Sequence, residues 1–413
     1  MGNIQQHRFA NGLTLITESI SGVKTAAINW GVRAGVAYNV CDGDSVLLAE
    51  LVQRGALGLT AKEHNDELDM LGVKRQVSCR TEFFRVSGIM LGSHIMQGIP
   101  LLGGYLLQPE LPENDLAACK RLVQQSIQSL QDSPAHLAAV ALNAHHLPSP
   151  FNRSAYGNSE QIDSATIERV RRVYGQLFTP KDSILVVAGD VDHLQVVELV
   201  EKMISSWKAS SNTAVETGPT DRGIHWIEQD TSQVHLGFAF DAPNASDSNA
   251  ILEAVAISVL GGATSGRLFT HVRQRKSLCY SVSAQFAPSR ARSLVRMHAG
   301  TTPERAEETI HVCIEQLSEI RNGIAKDEFL RTIQRLKSRA VMWGESTSAR
   351  TNTLWGDQYA IGQTKTLADR LQELSDVTYE SVNEWLKNRD FGELTLVYLG
   401  PDEIAIEDDL LVL

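Results

Sequence analysis

The chain lacks most of the features that assign a protein early. Its five cysteines, Cys41, Cys79, Cys119, Cys279 and Cys313, are odd in number, far apart and never spaced Cys-x-x-Cys. That argues against a disulfide framework and for free thiols in a reducing compartment. No stretch approaches the roughly 20 uninterrupted apolar residues of a spanning helix. The start, MGNIQQHRFANGLTLITE, shows neither an apolar segment behind a basic lead nor an Arg-rich transit pattern. No Lys/Arg run or basic helix stands out, and the net charge is -11, so nucleic acid and anionic membrane are poor partners. These absences together set the expectation of a soluble, cytoplasmic protein.

What is present is enough chain for more than one core. At 413 residues, 43% hydrophobic and 21% charged, it exceeds the size at which one hydrophobic core keeps growing. The polar stretch KASSNTAVETGPTDRG, residues 208–223, lacks any hydrophobic period and reads as a linker. It divides the sequence into an N-terminal part, 1–207, and a C-terminal part, 224–413. Each part opens on an alternating β segment, TAAINWGVRAG (25–35) and SQVHLGFAFDAP (232–243), and closes on another, SILVVAGDVD (183–192) and ELTLVYLGPDE (393–403). Both pairs are offset by roughly 210 residues, the pattern of a duplicated domain. Helical apolar spacing over 113–131 and 303–322 places long helices between those strands. The expected fold is α+β, two homologous domains, each a mixed or antiparallel sheet covered by helices.

One helix raises a question. In GDSVLLAELVQRG, residues 43–55, Asp44 or Ser45 can cap the first turn, and Val46, Leu47, Leu48, Leu51 and Val52 form an apolar stripe. The surrounding sequence resembles the pitrilysin and insulinase metallopeptidases, a family that includes the mitochondrial processing peptidase and the core proteins of the cytochrome bc1 complex. The resemblance runs through HRFANGLTLITE (7–18), the WGVRAG strand end, TAKEHNDELDMLG (60–72), FTPKDSILVVAGDVD (178–192) and LGGATSGRLFTHVRQRKSLCYSVSAQF (260–286). In that family His-x-x-Glu-His holds zinc through two histidines one helical turn apart, with the glutamate as general base. Aligning Gly43 and Gly55 with the family's flanking glycines puts Val46 and Glu50 at the histidine positions and Ala49 at the base. The third ligand, a glutamate ahead of the segment matched by PSPFNRSAYG (148–157), falls on Ala144. The resemblance therefore implies a chain that binds no zinc of its own.

Nearby histidines offer no replacement by spacing. His145 and His146 are adjacent, so on a helix they point about 100° apart, and His136 and His64 have no spaced partner. The second half keeps more. Arg273 and Tyr280 match the arginine and tyrosine that bind the substrate carbonyl oxygen in active relatives, where a guanidinium and a phenol supply donors to a developing oxyanion. Without the resemblance the same residues read as a basic helix end (Arg273, Arg275, Lys276) and the start of a strand. The family's substrate-pairing edge strand falls on GVKRQVSCRTEF (72–83), with Gln76 and Val77 in place of Asn-Ala.

Two functions stay open at this level. One is the zinc-free partner of a two-chain metalloendopeptidase, in which a catalytic paralogue supplies zinc and base and this chain helps hold an unfolded or short peptide. The other is an inactive structural or peptide-binding subunit like the bc1 core proteins.

Overall fold

The computed structural model describes residues 3–208 and 215–411, apart from the side chains of residues 408 and 409. Residues 209–214, the middle of the expected linker, lie outside the described residues.

The apolar runs at the start and end of the N-terminal half become strands of one sheet. It contains β1 (Asn3–Arg8), β2 (Thr14–Ser19), β3 (Thr25–Val32), β4 (Lys74–Cys79), β5 (Phe84–Leu91) and β6 (Ile184–Gly189). Their order is β1-β2-β6-β3-β5-β4; only β2 and β6 run parallel, and the other pairs are antiparallel. β6 is buried at every residue, which explains its unbroken apolar sequence, ILVVAG: a strand covered on both faces has no polar side to alternate with. Trp30, Phe84, Leu102 and Tyr105 anchor the main core of this sheet.

The second sheet repeats the plan. Its strands are β7 (Gly223–Glu228), β8 (Val234–Asp241), β9 (Cys279–Ala287), β10 (Leu294–Thr301) and β11 (Thr395–Gly400), in the order β9-β10-β8-β11-β7. Read from the other edge, this is β2-β6-β3-β5-β4 strand for strand. The single parallel pair, β7 with β11, stands where β2 and β6 stand in the first sheet. The duplication expected from the repeated β segments is therefore present in the topology, with β1 as an extra edge strand of the first copy.

Among the helices around the two sheets are α1 (Asp44–Leu51), α2 (Leu116–Gln131), α3 (Pro134–His146), α4 (Ala306–Glu319) and α5 (Thr347–Ile361). α2 and α4 cover the helical spans read from the sequence. On α4, Ala306, Ile310, Cys313 and Leu317 repeat at helical spacing and enter the second core. Among the described residues no helix is long and apolar enough to cross a membrane.

The division of the chain differs from a cut at the linker. One compact unit comprises Met1–Ser129, Ser149–Gly218 and Met342–Leu367; the other comprises Leu130–Pro148, Pro219–Val341 and Ala368–Leu413. Each half of the sequence thus lends one helix to the other half's sheet. α5 packs on the first sheet, where Arg350 Nε donates to Glu18 Oε2 at 2.7 Å with both side chains buried. Trp355 Nε1 donates to the Ile184 carbonyl at 3.2 Å. α3 packs on the second sheet through Leu142, which joins Ala239, Leu294 and Val397 in a small cluster. The periodicity of α3 and α5 announces an apolar face but does not say which sheet receives it, so a boundary drawn at 208–223 misplaces both.

Candidate functional site

The degenerate helix is built around its first glycine. Gly43 stands at the N-terminus of α1 with φ 106°, and a Cβ there would lie 2.4 Å from Ile162 Cδ1 and 3.3 Å from Gly157 Cα. The glycine is required by backbone conformation and by space together. Neither Asp44 nor Ser45 caps the helix. Asp44 is instead its first residue, fully buried and paired with Arg169 Nε at 2.9 Å. Burial pushes its carboxyl up, against the pull of Arg169.

The ligand positions on α1 are occupied by packing residues. Val46 is half-buried against the first core and Ala49 is within it, while Glu50 is half-buried and its charge, opposed by Arg54, acts on the buried Cys119 thiol. One carboxylate with no imidazole does not make a zinc site, which needs at least three protein donors. The residues on this helix do not fit the zinc that the family's His-x-x-Glu-His motif holds.

Ala144, the position matched to the third ligand, lies on α3, which belongs to the second unit. Later helices that share the first core with α1 include α2, through Cys119 and Val123, and Ile167–Leu177, through Ile167, Val170 and Val173. α2 contains no Asp or Glu from Leu116 to Gln131, and the one acidic residue of Ile167–Leu177, Glu168, is exposed.

Gln76 and Val77 are on β4, the free edge of the first sheet. They pair with Ser87 and Val86 of β5 on one side and, among the described residues, meet no strand on the other. Gln76 is exposed and Val77 packs against the first core. The outer backbone groups of such an edge can pair with an extended peptide.

Arg273 and Tyr280 flank a sharp change of direction. Arg273 is exposed near the end of a wide-turn π-helix, Phe269–Arg275, with its guanidinium 4.8 Å from the Phe269 ring centroid. It makes no hydrogen bond or ion pair among the described residues. The chain then passes Ser277 at φ 55° and enters β9, the free edge of the second sheet. There the register skips: Cys279 pairs with Thr301 and Ser281 with Gly300, so Tyr280 is the extra residue of a bulge. A bulge re-aims the side chain it carries. Tyr280 is 42% exposed and its hydroxyl donates to the Thr301 carbonyl at 2.8 Å. Desolvation, with Cys279 and Glu304 adding to it, pushes the phenol up, so it is a protonated donor at neutral pH. The two side chains thus belong to one short segment, and no bond between them holds either in place.

The histidines resolve differently from their spacing. His64 bonds to the Leu101 carbonyl at 3.0 Å. His146 is buried against Thr395 Oγ1 at 2.9 Å and Asp241 at 3.3 Å. His145, however, meets two residues that sequence reading passed over, Asp221 and His225. Their separation in sequence hides the grouping, and only the return of the chain to the second unit creates it.

Known proteins place this arrangement. A family model described as the peptidase M16 inactive domain matches residues 164–336. An uncharacterized zinc protease of Streptomyces coelicolor is 22% identical over 97% of this chain and 90% of its own length. One from Bacillus subtilis is 23% identical over 96% of this chain and 98% of its own. The crystal structure of a peptidase M16 inactive domain from Pseudomonas fluorescens superposes with a TM-score of 0.88 at 18% identity, covering 98% of this chain and 100% of that one. A protease from Helicobacter pylori gives 0.87 at 17%, covering 97% and 100%. These likenesses show that residues 164–336 resemble the peptidase M16 inactive domain, and that the chain, with its two duplicated α+β units, shares the fold of those solved structures along nearly its whole length.

Proposed function

We propose that the chain is the zinc-free partner in a two-chain metalloendopeptidase. A paralogous catalytic chain with an intact His-x-x-Glu-His helix supplies metal and base. This chain supplies Arg273 and Tyr280 to hold the peptide carbonyl oxygen as charge develops on it, and free edges at β4 and β9 to align an extended substrate. The observation that carries the reading is the bulge at Tyr280. It lifts a phenol out of the strand pairing seven residues after an exposed guanidinium that has no hydrogen bond or ion pair among the described residues, in a chain whose helix at the family's zinc position is given over to packing. Tyr280 must release the Thr301 carbonyl to donate to substrate, an exchange of one hydrogen bond for another that costs little net free energy.

Substrates in this reading are unfolded or short peptides, and the chain holds no catalytic zinc. A structural subunit without peptidase function is the competing reading, and it gives no use to Arg273 and Tyr280. The test is to assay peptide hydrolysis by this chain, by a catalytic paralogue and by their mixture. Activity that appears, or rises at least tenfold, only on mixing supports the proposal. Chelator-sensitive hydrolysis by this chain alone overturns it, as does a mixture no more active than the paralogue.

A further inference from the structure

We infer that the second unit carries a separate metal site, formed by His145, Asp221 and His225, that takes a zinc-like divalent cation. His145 is the penultimate residue of α3, just before the chain leaves the second unit at Pro148. Asp221 and His225 follow its return at Pro219. The three side chains can each present a ligand atom so that all lie within 4.8 Å of one another.

The backbone shapes this grouping. The Asp221 amide donates to the His145 carbonyl at 3.1 Å, and His225 Nε2 bonds to the Asp221 carbonyl at 2.8 Å. Asp221 Oδ2 meets His145 Nδ1 at 2.8 Å, and the two imidazoles stack with centroids 3.6 Å apart and planes 16° from parallel. Asp221 is thus bound to both histidines, through its carboxylate on one side and its main chain on the other. Asp221 and His225 are not on a helix, so helical spacing did not bring them together by default.

Two imidazoles and one carboxylate are the donor set of a borderline cation such as Zn²⁺, and three protein ligands leave a fourth position for water. Ligand atoms around a tetrahedral zinc are about 3.4 Å apart, as bond lengths of about 2.0–2.1 Å require. Closing from 4.8 Å to that spacing takes rotation of the histidine rings out of their stack. Asp221 is exposed, which gives an ion an open approach.

The position gives the site a purpose. His145 and Asp221 are 76 residues apart in sequence, and the segment between them lies largely in the first unit. A metal shared by its two ends closes that long excursion at the second unit and fixes the end of α3 to the start of β7. The site lies outside the helix at the family's zinc position and is independent of the proposed role in peptide cleavage.

The experiment is a calorimetric titration of the metal-free full chain with Zn²⁺ at pH 7.5, repeated at pH 5.5. Separate His145→Ala and His225→Ala variants are compared with His311→Ala, which removes an exposed histidine on α4. The expected result is one ion per chain, bound at least tenfold more weakly in the first two variants and unchanged in the third. Binding should also weaken at pH 5.5, where protons compete for the ligands. Circular dichroism and thermal melts identify any variant that fails to fold, and Asp221→Asn, at an exposed residue, then serves as the substitute. No binding by the folded chain, or binding that all these variants leave unchanged, overturns the inference.

Discussion

The two units share a strand order but secure their borrowed helices by different chemistry. In the first, α5 is held by the buried Arg350–Glu18 pair and by Trp355, against which Phe83 packs edge-on with ring centroids 4.7 Å apart. In the second, α3 is held by Leu142 and by His146, which reaches Thr395 and Asp241. One element is common. Arg85 of β5 pairs in register with Gly31 and lies 3.4 Å from the Trp355 ring centroid, while Arg296 of β10 pairs with Ala239 and donates from Nε to Asn143 Oδ1 at 2.9 Å. These are equivalent sites in the two sheets, and each presents a guanidinium to the borrowed helix. Burial pushes Arg85 down to about 10 and also lowers Arg296, so both remain cationic at neutral pH. The duplicated frame preserved the cation under the helix and let the remaining contacts diverge.

The comparison can be broken most severely at the buried ion pair. Arg350→Ala leaves Glu18 as an uncompensated charge and should destabilise the first unit by roughly 3–5 kcal/mol, read by denaturant titration. A paired Glu18→Gln, Arg350→Met change should recover most of that loss. Leu142→Ala in the second unit should cost about 2–3 kcal/mol, the lower part of the range for a buried leucine because its cluster is small.

A glycine under each helix gives a finer contrast. A Cβ on Gly31 would lie 2.6 Å from the Trp355 ring, whereas one on Gly237 would meet Leu142 Cδ2 at 3.3 Å. Gly31→Ala should therefore cost about 1–3 kcal/mol through overpacking, with Gly237→Ala the milder change on the same titration. The smallest effect is pH dependence. Burial raises the Asp241 carboxyl, but hydrogen bonds from His146 and Arg222 outweigh it and hold the group well below the usual carboxylate range. A depressed carboxyl contributes stability above its unfolded value of about 3.9. That contribution is lost as pH falls from there through the folded value. Asp241→Asn should flatten the acid limb of the second unit in amide hydrogen exchange, without a steep change because the side chain is partly solvated.

Sequence made the sheets legible and the exchange of helices illegible. The continuous apolar run of β6 and the alternation that opens β8 have a direct cause in how strands are covered. α3 and α5 carry the same kind of signal whichever sheet they serve. The match of α1 to the family's metal helix could be drawn because Gly43, held by its close approach to Gly157, gives the alignment a landmark. Ala144 was matched by its distance along the chain, and that distance does not show that its helix joins the second unit. The bulge at Tyr280 depends on a one-residue slip in pairing with β10, and the grouping of His145 with His225 depends on where the chain re-enters the second unit. Neither leaves a local pattern.

The central claim is that Arg273 and Tyr280 act on a substrate whose metal belongs to another chain. Its most direct test is the kcat/KM for peptide hydrolysis by the reconstituted pair carrying Arg273→Ala or Tyr280→Phe, with assembly checked by sedimentation. Loss of an oxyanion donor predicts a fall of about 10²–10³, carried mainly by kcat. An assembled pair that cuts peptide at the unsubstituted rate would contradict the account.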